Sequence, residues 1–450
     1  MKIEKVRIFL IIWVGKIIAT LSRFFNLGAG ETWPGEIGMR LDKNLIKKLI
    51  SGIKKGVILV AGTNGKTTTV KMIKTILYAT RNTQHATRIV CNQSGANLLN
   101  GIASTLISAA NILGKVRADW AIFEVDEATL PLTLKEFTPK IVVILNLFRD
   151  QLDRYGEIDL IAKKWHQALK KLPNKTTVIL NADDPQIAAL GKDFKAKVLY
   201  FGLNEQSLFL EKVPHSADST YCLFCGEKLK FKGVYFSHLG IWHCQKCGWK
   251  RPKVSLSSWQ WPLIGVYNQY NTLAAVLVGR SLGVNERAIR TALKNFKPAF
   301  GRGEEFEIRD KRVKILLSKN PTGFNATIRR LIESRQRFAL LALNDRIPDG
   351  RDVSWIWDVD FEELVSRVDQ LIITGDRAYD LGLRLKYATK AQNSKLKAQN
   401  YNLKLKITED LKESLRIGLE KIKQGETLYI LPTYSAMLEI RKYLAGRSIL

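Results

Sequence analysis

The chain has 450 residues, 46% of them apolar, with 71 Lys and Arg against 42 Asp and Glu, a formal charge of +29. That length excludes a single ordinary core and implies two or three domains, while the apolar content supports globular packing. The charge admits nucleic acid, an anionic membrane surface, an acidic or phosphorylated partner, or simply a Lys-rich proteome, and no tract of interleaved Arg and aromatics argues for nucleic acid.

At the N-terminus, Lys2, Lys5 and Arg7 precede an apolar run at 8–14. The run superficially resembles a secretory leader, but Gly15 and Lys16 interrupt it and no small-residue cleavage site follows. It falls well short of the roughly 18 residues that suggest a membrane span. Ile8, Ile11, Ile12, Ile18, Leu21 and Phe25, interspersed with Lys and Arg, suit an amphipathic helix. Such a helix either docks on the body of the protein or rests on a membrane surface. Residues 1–50 therefore read as an N-terminal helical extension.

Residues 57–69 read Val-Ile-Leu-Val-Ala-Gly-Thr-Asn-Gly-Lys-Thr-Thr-Thr. An apolar strand ends in a Gly-rich turn, and Lys66 and Thr67 open a helix. Such a turn aims backbone N–H groups and a helix N-terminus at phosphate. Lys66, taken as an exposed loop lysine, can reach the β- and γ-phosphates, and the Thr67 hydroxyl can ligate Mg²⁺. Val70, Ile73, Ile76 and Leu77 supply the apolar face of the following helix. The general phosphate-loop pattern has glycine where this chain has Val60.

Further apolar strands are expected at 120–125, 141–146 and 177–181, separated by helical patterns, which implies a parallel sheet. Ligands sit at the carboxyl ends of strands in such sheets. The residues there are Glu124, Asp126 and Glu127, then Asn146, Arg149, Asp150 and Asp153, then Asn181, Asp183 and Asp184. Acidic groups beside a phosphate loop suit Mg²⁺, although each alone also suits a solvated loop or a helix cap.

Four of the five cysteines, Cys222, Cys225, Cys244 and Cys247, form two Cys-x-x-Cys pairs 18 residues apart. Gly226 and Gly248 follow the pairs. This spacing forms two knuckles around a tetrahedral Zn²⁺, and four thiolates leave no open position, so the metal is structural. Disulfide pairing is the competing reading. His243 reads as a bystander and Cys91 as a buried or semi-buried free thiol. ATP chemistry and a thiol metal site together favour the cytoplasm. Strands near 314–317, 338–343, 370–374 and 428–431 suggest a smaller C-terminal α/β domain, and the Lys-rich stretch 386–406 reads as solvated.

In order, GTNGKTTT, EVDE (124–127), NLFRDQLDRYGEID (146–159), NADDP (181–185) and YNQYNTLAA (267–275) resemble the Mur ligase family. GTNGKT is the shorter phosphate-loop form typical of that family. Three features depart from its amino-acid-adding members: Asp150-Gln151 in place of Asp-His, the four-cysteine insert, and a third domain with SKNPTGFNATI (318–328) and LNDRIPDGRDVSWIWDVDFE (343–362). All three resemble the synthetase subunits of the lipid II isoglutaminyl synthases, over essentially the whole chain.

The resemblance implies an ATPase domain at 51–300 with a zinc ribbon inserted at 215–256, a hinge at 298–303, and a C-terminal α/β domain at 305–450. It implies ATP and Mg²⁺ as cofactors beside the structural Zn²⁺, a GatD-like glutaminase as partner, and lipid II at the inner membrane face as substrate, with no nucleic acid. Gly62, Thr63, Asn64, Gly65, Lys66, Thr67 and Thr68 would hold the triphosphate. Glu124 and Thr67 would bind Mg²⁺, and Asn268 and Asn271 would contact the base region. Arg302 could reach the phosphates. Lys319, Asn320 and Pro321 would line the interdomain cleft, and the loop 91–101 would face the acceptor. Asp352 would orient the partner's catalytic histidine, with Asp349, Asp358 and Asp360 as competitors. Two rivals stand: a Mur-type amino-acid-adding ligase, which the cysteine insert and Gln151 oppose, and a nucleic-acid-binding zinc-ribbon ATPase, which the ordered motifs oppose.

Overall fold

A computed structural model describes residues 2–24, 32–79, 87–92, 95–150, 158–211, 213–214, 217–263, 265–294, 296, 302–308, 310–395 and 403–445. The apolar runs of the first half form β1 (Ile53–Ala61), β2 (Ile89–Cys91), β3 (Ala118–Val125), β4 (Ile141–Ile144), β5 (Thr177–Asn181) and β6 (Lys197–Phe201). They lie in the order β2-β3-β1-β4-β5-β6, and every adjacent pair is parallel. Both faces of this sheet are covered, which is why its strands read as continuous apolar runs. In β1, Val57, Leu59 and Ala61 point into one core layer and Ile58 and Val60 into the other. Helix Lys66–Tyr78 packs on the second side through Ile73 and Ile76, against Leu273 of helix Val266–Ser281.

The four-cysteine insert carries a hairpin, β7 (Lys230–Phe236) and β8 (Leu239–His243). The C-terminal half builds a second sheet from β9 (Arg302–Ile308), β10 (Lys311–Leu316), β11 (Phe338–Ala342), β12 (Gln370–Thr374), β13 (Lys404–Ile407) and β14 (Thr427–Pro432). Its order is β13-β12-β11-β14-β10-β9, parallel except for β9 against β10. Phe324, Phe361 and Leu381 cover one face, and Leu415 and Met437 the other.

The structure departs from the expectations in three places. Strand β4 stops at Ile144, and residues 145–150 leave the sheet as a loop. Strands β2, β6, β9 and β13 were not anticipated. The N-terminal segment is helical over Lys2–Phe24, but its apolar residues split between two faces. Ile11 and Ile12 are buried and Ile8 and Ile18 half-buried, whereas Leu21 is 50% exposed and Phe25 lies outside the described residues. No helix among the described residues is long and apolar enough to cross a membrane.

Candidate active site between the two sheets

Strand β1 delivers the chain into the turn 62–65, and helix Lys66–Tyr78 starts directly after it. Gly65 sits at φ 90°, and a Cβ there would lie 2.1 Å from Asn271 Oδ1, so glycine is required both by the backbone and by the close approach of helix Val266–Ser281. The loop after β4 grips this turn. Thr63 N–H donates to the Asn146 carbonyl at 3.1 Å, Asn64 N–H donates to Asn146 Oδ1 at 2.8 Å, and Asn146 Nδ2 donates back to the Asn64 carbonyl at 3.0 Å. The Thr63 hydroxyl accepts from Phe148 N–H at 3.0 Å.

Lys66 is not the exposed lysine the sequence suggested. It is 8% exposed. Its ammonium donates to the Gly62 carbonyl at 2.6 Å and lies 3.4 Å from Glu127 Oε2. Glu127 leaves the end of β3 and is itself buried. Burial alone would raise its carboxyl, but the charges of Lys66 and Lys319 hold it below the usual carboxylate range. The Thr67 hydroxyl donates to Glu124 Oε2 at 2.7 Å. Asn92 ties the loop after β2 to the same strand end, accepting from Glu124 N–H at 3.0 Å and donating to the Glu124 carbonyl at 2.9 Å. A hydroxyl and a carboxylate thus meet beside a buried ammonium, a set of hard oxygen donors and a cation of the kind that could receive Mg²⁺ and phosphate.

Asn268 and Asn271 stand inside helix Val266–Ser281, whose N-cap is Gly265, so neither caps it. Asn271 Nδ2 donates to Asn268 Oδ1 at 3.3 Å. Thr68 is buried within helix Lys66–Tyr78. From the second sheet, Lys319 reaches Asp150 Oδ2 at 2.6 Å, and Asn320 Nδ2 donates to Asn64 Oδ1 at 3.2 Å while its Oδ1 caps helix Pro321–Glu333 through Gly323 N–H. A cavity of about 100 Å³ opens at this seam, lined by Asn64, Gly65, Tyr267, Asn271, Lys319 and Asn320 among others. A larger open cleft of about 930 Å³ at 255–262 contains none of these residues. Gln151 and Asp153 lie outside the described residues, as does the Arg302 side chain, although its backbone opens β9.

Asp352 is not part of this cluster. It is exposed, and its Oδ1 accepts from Ser354 N–H at 2.8 Å. Its three neighbours are committed elsewhere. Asp349 is buried against Ser435, whose N–H donates to it at 2.9 Å; Asp358 lies 3.5 Å from Arg149; and Asp360 accepts from Asn325 Nδ2 at 2.8 Å.

The four cysteine sulfurs lie within 4.8 Å of one another, with 3.5 Å between Cys222 and Cys247 and between Cys225 and Cys244. A disulfide would need about 2.05 Å, whereas a tetrahedron of Zn–S bonds of about 2.3 Å puts sulfurs roughly 3.8 Å apart. The two knuckles repeat one geometry, with Gly226 N–H donating to the Cys222 carbonyl and Gly248 N–H to that of Cys244. The insert is bonded to the sheet. Arg251 Nε lies 2.5 Å from Asp183 Oδ1, and Asp183 also accepts from Tyr270 OH at 2.7 Å. Burial pushes the Asp183 carboxyl up to about 6, against the opposing pull of Arg251 and Tyr270. Asp218 accepts from the Arg149 guanidinium and backbone, and donates its own N–H to His238 Nδ1 at 3.3 Å. Glu127 was within reach of sequence reasoning as part of EVDE at a strand end, whereas nothing in the sequence connects Asp218 or His238 to this loop.

Comparison with known proteins shows the family. The Mur ligase middle domain model matches residues 60–279 and the MurT ligase C-terminal model matches residues 317–437. The lipid II isoglutaminyl synthase (glutamine-hydrolyzing) subunit MurT of Staphylococcus aureus (strain COL) is 34% identical, covering 84% of this chain and 88% of that protein. Its counterpart in Streptococcus pneumoniae is 31% identical over 94% of both. Among solved structures, a pseudomurein peptide ligase type C from Methanothermus fervidus superposes with a TM-score of 0.64 at 20% identity, covering 89% of this chain and 80% of that one. That likeness carries the fold alone. The chain belongs to the MurT family of Mur ligases.

Proposed function

We propose that the chain is the synthetase subunit of a lipid II isoglutaminyl synthase, an ATP-dependent ligase that amidates the α-carboxylate of D-glutamate in the stem peptide. The observation that carries this is the relation to two MurT subunits over 84% and 94% of the chain, spanning both the phosphate-loop domain and the C-terminal domain. A carboxylate is a poor electrophile. One of its oxygens attacks the γ-phosphorus and ADP leaves. Ammonia then attacks the acyl carbon, phosphate leaves with the C–O bonding pair, and the nitrogen sheds a proton.

In this reading the turn 62–65 and Thr68 cradle the phosphates, and Lys66 turns from Gly62 and Glu127 toward them. Thr67 and Glu124 would hold Mg²⁺, which neutralises charge on the triphosphate. Asn268 and Asn271 position the base end, and Lys319 and Asn320 close the cleft from the second domain. Arg302 would approach the phosphates from the start of β9. The four cysteines would hold a structural Zn²⁺. A GatD-like glutaminase supplies ammonia, and Asp352, exposed and held only by a local turn, orients that partner's catalytic histidine. The protein works at the inner membrane face, where lipid II is found.

The test is to co-purify the chain with a GatD-like glutaminase and supply ATP, Mg²⁺, glutamine and lipid II. Mass spectrometry of the stem peptide should show conversion of one carboxyl to amide. A stem peptide lengthened by a free amino acid instead would convert the assignment to an amino-acid-adding ligase.

A further inference from the structure

Helix Lys2–Phe24 is apolar on two opposite faces. The inner face, Ile8, Ile11, Ile12 and Gly15, lies flush on the body: a Cβ at Gly15 would meet Ile107 Cγ2 at 2.8 Å and Pro34 Cβ at 3.6 Å. The outer face carries Val6, Leu10, Trp13, Val14, Ile17 and Leu21, each between 40% and 57% exposed. At 100° per residue these positions form one stripe. Phe9 joins it, its ring 5.8 Å from that of Trp13. The turn 111–115 abuts the same helix at Gly114, against Ile8, and presents Ile112 and Leu113 at 62% and 66% exposure. Single exposed apolar side chains need no explanation, but a contiguous patch does.

We propose that this stripe docks on an anionic lipid bilayer, with the helix lying in the headgroup plane. Charge selects the occupant. Residues 2–55 contain eleven Lys and Arg against four Asp and Glu, in a chain of +29. Arg7, Lys43, Lys47, Lys54 and Lys55 are exposed. An anionic surface complements this charge, whereas a second copy of the chain would bring like charge against it. The helix itself contains five basic residues and one acidic, which suits lying on a membrane and not crossing it.

The placement also serves the site. Helix Leu99–Ala109, on which the N-terminal helix rests through Ile107, begins directly after the loop that Asn92 ties to Glu124. One element thus joins the bilayer-facing stripe to the acceptor side of the site. This link rests on the reading of lipid II as substrate, whose tail stays in the bilayer while its peptide is amidated; the stripe itself does not depend on it.

The experiment uses the full chain in complex with its glutaminase partner and phosphatidylcholine vesicles with and without phosphatidylglycerol. The wild type should co-float with the anionic vesicles, and the bound fraction should fall at least tenfold on neutral vesicles or at high salt. Trp13→Glu/Ile17→Glu should lose vesicle binding. Trp13→Gln/Ile17→Gln, which adds no charge, should lose most of it. Both variants should keep wild-type melting and wild-type amidation of a tail-less, water-soluble acceptor, and lose amidation of acceptor embedded in vesicles. Vesicle binding without amidation of any acceptor would sink the functional reading and uphold the docking surface. The docking surface is overturned if the wild type fails to co-float with anionic vesicles, or if light scattering shows a dimer that the Glu variant splits.

Discussion

Replacing Glu127 by Gln removes one buried charge at the phosphate loop. Gln has the same shape, so packing is kept and only the charge that faces Lys66, and more distantly Lys319, is lost. Both side chains are more than nine-tenths buried, and Lys66 retains the Gly62 carbonyl at 2.6 Å. Breaking a buried pair by removing one partner costs about 3–5 kcal/mol. With the carbonyl acceptor kept, about 3 kcal/mol is expected, or about 6–12 °C in the melting of a domain of roughly 250 residues. Bound ATP should restore part of this, because phosphate then replaces the missing carboxylate as counter-charge. The stabilisation by Mg·ATP should therefore be larger in the variant than in the wild type. The acid side gives an independent check. The folded Glu127 carboxyl is depressed, so its contribution is present above the unfolded value of 4.5 and lost as pH falls through the lower folded value. The variant should lack that part of the acid slope. Thermal unfolding with and without Mg·ATP measures both effects. A variant melting within about 1 °C of the wild type in both states would refute the assignment of Glu127 as the group that holds Lys66.

Purified protein should contain one zinc per chain, and Cys222→Ser or a strong chelator should melt the insert at lower temperature while ATP binding persists; zinc-free protein purified without chelator would refute this. Arg251→Met should cost about 3 kcal/mol by leaving Asp183 buried without its guanidinium. Because the folded Asp183 carboxyl lies above its unfolded value, its contribution is fully present below 3.8 and lost as pH rises through about 6, so the penalty should be larger at pH 8 than at pH 5, read by denaturant unfolding. Asp352→Asn should leave ATP binding and complex formation intact and lower glutamine-driven amidation by up to about 10⁴, by analogy with the loss of a triad carboxylate. Free ammonia should rescue that variant, and equal loss of both activities would place Asp352 in the synthetase site instead.

The phosphate turn was legible because its chemistry is local. An apolar run, glycines at the turn and a Lys-Thr helix start are all encoded within thirteen residues. The parallel sheet was legible for the same reason, since doubly covered strands leave no alternation to confuse. β9, RGEEFEI, was hidden because an edge strand with a charged sequence carries no apolar run, and β2 because it is three residues long. The burial of Lys66 could not be read at all. It depends on Glu127 arriving from β3, some sixty residues away, and a charged loop residue looks solvated until its counter-charge is placed. The spacing of Ile8, Ile11, Ile12, Ile18 and Leu21 shows an amphipathic helix but not that Leu21 belongs with the outward residues, since it lies on the border between the two faces. Only the docking of Gly15 on Ile107 fixes which side faces in.

The segment 145–150 is where these parts meet. Asn146 and Phe148 hold Thr63 and Asn64 of the phosphate turn; Leu147 N–H donates to Asp184 at 2.9 Å; Arg149 is held by Asp218 of the insert; Asp150 is held by Lys319 of the second domain. Each bond alone is worth about 1 kcal/mol, or somewhat more where charged. They share one short loop, so they are not independent. Unfolding the insert would release Asp218 and leave Arg149 with its 3.5 Å contact to Asp358, in the same loop that holds the phosphate turn and meets Lys319. If the four cysteines hold a metal, its loss would then be felt at the turn 62–65 and at the Lys319–Asp150 contact through this one loop. Such coupling should appear as non-additivity. Asp218→Asn and Lys319→Met, which touch different partners of the same loop, should together cost less than the sum of their separate effects on ATP turnover, whereas additive costs would mean that the loop transmits nothing between the insert and the second domain.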